Sequence, residues 1–113
     1  MRTGIRTTVY CRTSFEGFHE WPDAPEEVFF LRNNHRHIFH VTVEVPVSHS
    51  DRDVEFILLK RRVDAFIKEQ NTHLVSETWS CEQWALALLV KFDAFRVEVS
   101  EDGENGAIVE AAP

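Results

Sequence analysis

The sequence is poor in glycine and proline, and it has no long hydrophobic run. Four glycines and four prolines in 113 residues exclude a collagen-like or low-complexity chain. Every apolar stretch falls short of the ~18 residues expected of a transmembrane helix, so we expect no membrane partner. The N-terminal arginines are not followed by an apolar segment, which speaks against an export signal.

Cysteine and positive charge are also scarce. The two cysteines, Cys11 and Cys81, form no CxxC pair and are too few for a disulfide framework. We therefore expect a reducing, cytoplasmic compartment. Twelve basic residues against 19 acidic residues give a net charge of −7, so we expect no nucleic-acid partner.

The apolar content is sufficient for one hydrophobic core. Hydrophobic residues make up 43% of the chain and charged residues 27%, as in an ordinary soluble globular protein. A chain of this length forms one domain, because a second core would leave each half too small to bury enough surface. We predict a single domain over residues 1–113.

Hydrophobic periodicity predicts the element order ββααββ. Strand-like alternation covers residues 1–18, 35–47, 95–99 and 107–110. Helical periodicity covers residues 54–70 and 80–91. Ser50 and Asp51 are candidate N-caps for the first helix, and Ser80 with Gln83 forms a capping-box pattern for the second. We predict an α+β fold, a four-stranded antiparallel sheet with both helices on one face.

Three of the six histidines are placed so that they can meet. His35 and His37 are two positions apart on a strand, so their side chains emerge on one face about 7 Å apart. His19 ends the preceding strand, and a hairpin would bring it beside them. Three imidazoles with an open fourth position are typical of a catalytic zinc site. The alternative is that such histidines are ordinary surface or core residues. His40 belongs to the opposite face.

The residues around these histidines resemble a known family. Residues 15–19 (FEGFH) and 35–41 (HRHIFHV) resemble the FxAAH and HGHNYxV motifs of 6-pyruvoyltetrahydropterin synthases and of the bacterial 6-carboxytetrahydropterin synthases of the queuosine pathway. Further similar segments follow in order at residues 54–60, 79–82, 97–101 and 105–108. The resemblance covers about residues 5–110.

The resemblance implies a fold, an assembly and an activity. The fold is the T-fold, whose subunits oligomerise through their sheets into a barrel, here expected as a homohexamer with active sites between subunits. The activity is that of a zinc-dependent lyase acting on dihydroneopterin triphosphate or a related reduced pterin. The zinc ligands would be His19, His35 and His37. Glu101 would hold the pterin by accepting two parallel hydrogen bonds from its N–H groups.

The chain departs from the family pattern at the catalytic bases. The position of the family's catalytic cysteine is Leu31. Glu27, in the loop before it, and His73, near the family's Asp-His pair, are the candidates for proton transfer. An alternative function follows from the leucine, namely a T-fold protein that binds a pterin- or purine-like ligand without turnover. A third reading is a purely structural oligomeric subunit with a residual metal.

Overall fold

The four strands form one antiparallel sheet in the order in which they occur along the chain. A computed structural model of the protein describes residues 4–112, and the predicted strand residues 1–3 lie outside that range. The strands are β1 (Thr8–His19), β2 (His35–Pro46), β3 (Arg96–Glu101) and β4 (Asn105–Glu110). Each pairs with the next, giving the order β1-β2-β3-β4. The predicted α+β class and four-stranded antiparallel sheet are confirmed.

Two α-helices pack on one face of this sheet. Helix α1 (Phe56–Gln70) packs on β1, and α2 (Cys81–Phe92) packs mainly on β3 and β4. The long connection between β1 and β2 contains a short, kinked 3-10 helix, Glu26–Arg32. The sequence predicts only a loop with an apolar island there, because a 3-10 turn has no hydrophobic period of its own over so few residues.

Apolar side chains alternate with polar ones along β2, and this alternation determines both the core residues and the face on which the histidines lie. Phe39 is 1% exposed, and Val41, Val43 and Val45 on the same face are buried as well. They pack with the buried residues of both helices in one cluster. Since side chains two positions apart share a face, His35 and His37 emerge on the side of the sheet that carries the helices.

The two helix N-termini give opposite outcomes for the predicted caps. At α2, Gln83 N donates to Ser80 Oγ at 3.1 Å and Ser80 N donates to Gln83 Oε1 at 2.9 Å, so the capping box is confirmed. At α1, the predicted caps Ser50 and Asp51 are wrong. The cap is Glu55, whose carboxylate accepts from Ile57 N at 3.0 Å, because residues between 48 and 55 form an irregular polar loop instead of the first helical turn.

Because Ser80 caps a helix and Ser50 does not, replacing these two serines should change the free energy of unfolding by different amounts. Replacing Ser80 with alanine removes the acceptor for Gln83 N, and we expect S80A to lower the free energy of unfolding by about 1 kcal/mol. The matched control is S50A, which removes only an exposed hydroxyl contact with Thr7 Oγ1. We expect that change to stay within about 0.5 kcal/mol. Urea denaturation measures both, and equal losses would contradict the assignment of the caps.

Candidate metal centre

The pairing register between β1 and β2 brings the three histidines together. His19 lies directly opposite His35, and Gly17 lies opposite His37. The His19, His35 and His37 side chains offer nitrogen atoms that all lie within 4.8 Å of one another. The predicted cluster is therefore present, and it could hold a metal ion.

A buried aromatic ring supports the cluster from below. Phe39 follows His37 on the same face, and its ring centroid lies 5.5 Å from that of His19 and 6.0 Å from that of His37. Gly17 allows this arrangement, because a Cβ there would lie 2.7 Å from the Phe39 ring. The absence of a side chain at position 17 thus lets the ring pack across β1 beneath the histidines.

Each histidine has its Nδ1 atom tied to an oxygen. The distances are 3.0 Å from His19 to Trp79 O, 2.8 Å from His35 to Asn33 O, and 2.7 Å from His37 to Asp102 Oδ2. Carbonyl and carboxylate oxygens only accept, so each ring must carry its proton on Nδ1. Nε2 is then the ring nitrogen left to bind a metal, which is how a metal-binding histidine is held.

Two of the Nε2 atoms are suited to bind a metal ion. Those of His35 and His37 are buried and make no hydrogen bond within the described residues. A buried polar atom left unpaired costs about 1–3 kcal/mol, and a divalent ion would remove that cost. Burial also lowers the pKa of His19, which favours the neutral imidazole that binds metals. The three imidazoles therefore fit a divalent transition metal ion such as zinc.

Asp102 is the part of the centre that the sequence did not reveal. Its carboxylate accepts from His37 Nδ1 and, at 2.9 Å, from Ile38 N. The hydrogen bond from His37 lowers the pKa of Asp102, so this carboxyl is ionised at neutral pH. The DGEN segment indicates a turn at Asp102, but the contact with His37 depends on the register between β2 and β3, which no local pattern encodes.

A cleft of about 460 Å³ opens beside the histidines. His19 and His35 form part of its wall, together with Trp21, Trp79, Leu31 and Glu101. Its volume falls within the roughly 300–1,000 Å³ of small-molecule sites. Leu31 thus lies in the cleft wall, at the sequence position where the resembled family has its catalytic cysteine.

Glu101 lies between the cleft and the histidines. One carboxylate oxygen is 3.1 Å from His37 Nε2, and the other is 3.6 Å from His19 Nε2. The close approach to His37 lacks hydrogen-bond geometry, since that Nε2 atom has no hydrogen-bond partner. The side chain is 29% exposed, so the carboxylate remains accessible to a ligand in the cleft.

Cys81 also lines the cleft, but its thiol is not an activated nucleophile. Its Sγ donates a hydrogen bond to Glu101 Oε1 at 3.8 Å. Burial, together with the negative charges of Glu101 and Glu82, raises the pKa of Cys81 to about 12. The thiol therefore stays protonated at neutral pH and cannot serve as a thiolate base.

The two predicted proton-transfer residues are not brought to this cleft. Glu27 is an exposed residue of the 3-10 helix, and His73 is exposed in the turn that follows α1. Neither is part of the cleft wall. Neither belongs to the cluster of side chains that could hold a metal ion, and their catalytic roles stay predictions.

Comparison with family models finds no match for this chain, and comparison with curated proteins finds none either. The resemblance to the pterin synthases therefore stays a prediction. Among residues 4–112, no helix combines the length and the apolar character that crossing a membrane requires.

The cluster predicts a metal stoichiometry that mutation can test. We expect the protein to retain one zinc ion per chain after dialysis, measured by atomic emission. H37A should lose it, because two remaining imidazoles make a poor tetrahedral site. H40A is the matched control, since His40 is exposed on the opposite face of β2. Full zinc occupancy in H37A would contradict the assignment of the ligands.

Proposed function

We propose that the protein is a zinc-dependent protein of the pterin synthase type that acts on a reduced pterin. The observation that carries this proposal is the convergence of three histidine nitrogen atoms beside a cleft that Glu101 also lines. One group would bind a metal and the other a nitrogen-rich ring. The sequence motifs around both groups resemble those of the pterin synthases, which supports the same function.

His19, His35 and His37 would hold the zinc ion. A zinc ion bound there would polarise the hydroxyl and carbonyl oxygens of the pterin side chain. The chain's own contribution is to hold the three rings in the metal-binding tautomer, through Trp79 O, Asn33 O and Asp102.

Glu101 would anchor the pterin ring. A carboxylate can accept two parallel hydrogen bonds from N–H groups. The 2-amino group and the ring N–H of a pterin offer two such donors side by side. The Glu101 carboxylate lies close to His19 and His37. A pterin ring held by Glu101 would therefore have its own side chain near the metal. Trp21 and Trp79 add flat apolar surface to the cleft wall, which suits a planar heterocycle.

The general base is the part of the proposed reaction that one chain does not supply. Leu31 has no titratable group, and Cys81 is a protonated thiol. His73 and Glu27, both exposed, would have to reach the cleft of a neighbouring subunit. The lack of a base at positions 31 and 81 of the cleft wall and the exposure of both candidate residues favour a second candidate function. In that function the protein binds a pterin- or purine-like ligand through Glu101 without turnover.

The proposed assembly is the T-fold barrel, as a cytoplasmic homohexamer. The outer edge of β1 and the outer edge of β4 have no partner strand within the described residues. A free edge of 12 residues, such as that of β1, tends to pair with another chain. Closing the sheets into a barrel between subunits would remove both free edges.

Turnover distinguishes the two candidate functions. We expect the zinc-loaded protein to bind dihydroneopterin triphosphate, seen by fluorescence titration, and to convert it slowly. L31C should raise the rate by about 10²–10⁴-fold if the missing thiol is the only defect, because that is the usual contribution of a general base. L31S is the control, since it removes the leucine without adding a thiol. A family-like rate in the native protein would show that another residue is the base.

Assembly is tested by the mass in solution. A single chain has a mass of 13.2 kDa, and we expect light scattering at micromolar concentration to give the mass of a hexamer. The expected result follows from the two free strand edges, which a barrel would pair. A monomeric mass at that concentration would contradict the barrel.

A further inference from the structure

Asp102 has an unusual backbone conformation at the end of β3. Its φ angle is 55°, in the left-handed region that disfavours most side chains. Asp102 N donates to Ile38 O at 2.7 Å, and Ile38 N donates to Asp102 Oδ1 at 2.9 Å. This pair of bonds fixes the residue against β2 and leaves the second carboxylate oxygen, Oδ2, facing the His37 ring at 2.7 Å.

We propose that Asp102 is a positioning residue of the metal centre, which fixes the tautomer and the ring orientation of His37 so that Nε2 faces the ion. The inference rests on the metal of the proposed function and adds a residue that the three-histidine motif does not contain. The carboxyl oxygen Oδ2 lies 2.7 Å from Nδ1 and accepts its hydrogen bond, so this contact keeps the His37 proton on Nδ1. When a group accepts a hydrogen bond from the ring nitrogen that does not bind the metal, it also makes the histidine a stronger metal ligand.

Charge balance supports the same role. Asp102 follows Glu101 directly, and both carboxylates contact His37, one at each ring nitrogen. Together they match the two positive charges of a divalent ion. Such balance matters because the His37 side chain is only 18% exposed, and a poorly hydrated cation is costly without nearby negative charge.

Replacement by asparagine separates positioning from simple packing. Asparagine matches the shape of aspartate and tolerates the left-handed backbone. The Ile38 N–H requires an acceptor, so the amide oxygen must take the place of Oδ1 and the NH2 group must face His37. That group donates, so His37 Nδ1 becomes the acceptor and the ring proton moves to Nε2. A ring protonated on Nε2 cannot bind the ion through that atom.

Replacement by glycine is the matched comparison. Glycine adopts positive φ without strain, and it removes both carboxylate contacts. His37 then has no partner at Nδ1 within the turn, and both neutral tautomers become accessible. If Asp102 acted only through its bond to Ile38, D102N would be the milder change because it keeps that bond. If Asp102 acts through the His37 tautomer, D102G is the milder change.

The test is the zinc dissociation constant of the full-length variants, measured by competition with a chromophoric chelator. We expect D102G to bind zinc about 10–100-fold more weakly than the native protein. D102N should bind more weakly still. E104Q is the charge control, because Glu104 is exposed in the same turn, and the ion-pair contacts of His37 in the described residues are with Glu101 and Asp102. Its affinity should equal that of the native protein.

Nitrogen-15 NMR of the metal-free proteins reads the tautomer directly. We expect His37 to carry its proton on Nδ1 in the native protein and on Nε2 in D102N. Zinc binding by D102N that equals or exceeds that of D102G, or a proton retained on Nδ1, would overturn the proposal. Circular dichroism checks folding, and if D102N does not fold, native affinity in D102G alone overturns it. Native zinc affinity in H37A would instead remove the metal centre itself.

Discussion

The pairing register between β1 and β2 is the constraint on which the core, the histidine cluster and the cleft all depend. Along one face the paired residues are Cys11 with Val43, Phe15 with Phe39, and His19 with His35. A slip of one position would turn every side chain of one strand to the other face of the sheet. The valines and Phe39 make that slip costly, since each buried aliphatic or aromatic side chain contributes about 1.5–3 kcal/mol. The apolar packing therefore fixes where the histidines meet.

Much of this arrangement could be predicted from the sequence, because it depends on local periodicity. The alternation in β2 is visible in residues 35–47, and it predicts both the core face and the convergence of His35 and His37. The capping box at Ser80 is equally local, since its two partners are three residues apart. Such signals need no knowledge of how distant segments pair.

The features that were missed depend on long-range pairing or on competing local contacts. Asp102 reaches His37 only because β3 pairs with β2, and 65 positions separate the two residues. The sequence predicts the wrong cap for α1, because several residues before the helix carry side chains that can accept hydrogen bonds. Asp53 accepts instead from Ser48 N, and Glu55 occupies the cap. Composition alone does not decide between such competitors.

On the proposed function, the position of Glu101 couples the metal to the organic ligand. The same carboxylate that would accept the pterin N–H groups lies within 3.6 Å of Nε2 of His19 and within 3.1 Å of Nε2 of His37. A divalent ion at the nitrogens would attract the carboxylate, so the ion and the organic ligand would compete for the same group. By thermodynamic linkage, any effect of zinc on pterin affinity must appear equally as an effect of the pterin on zinc affinity. The site would then act as one unit, in which Asp102 holds the metal ligand His37 and the adjacent Glu101 links the metal to the cleft.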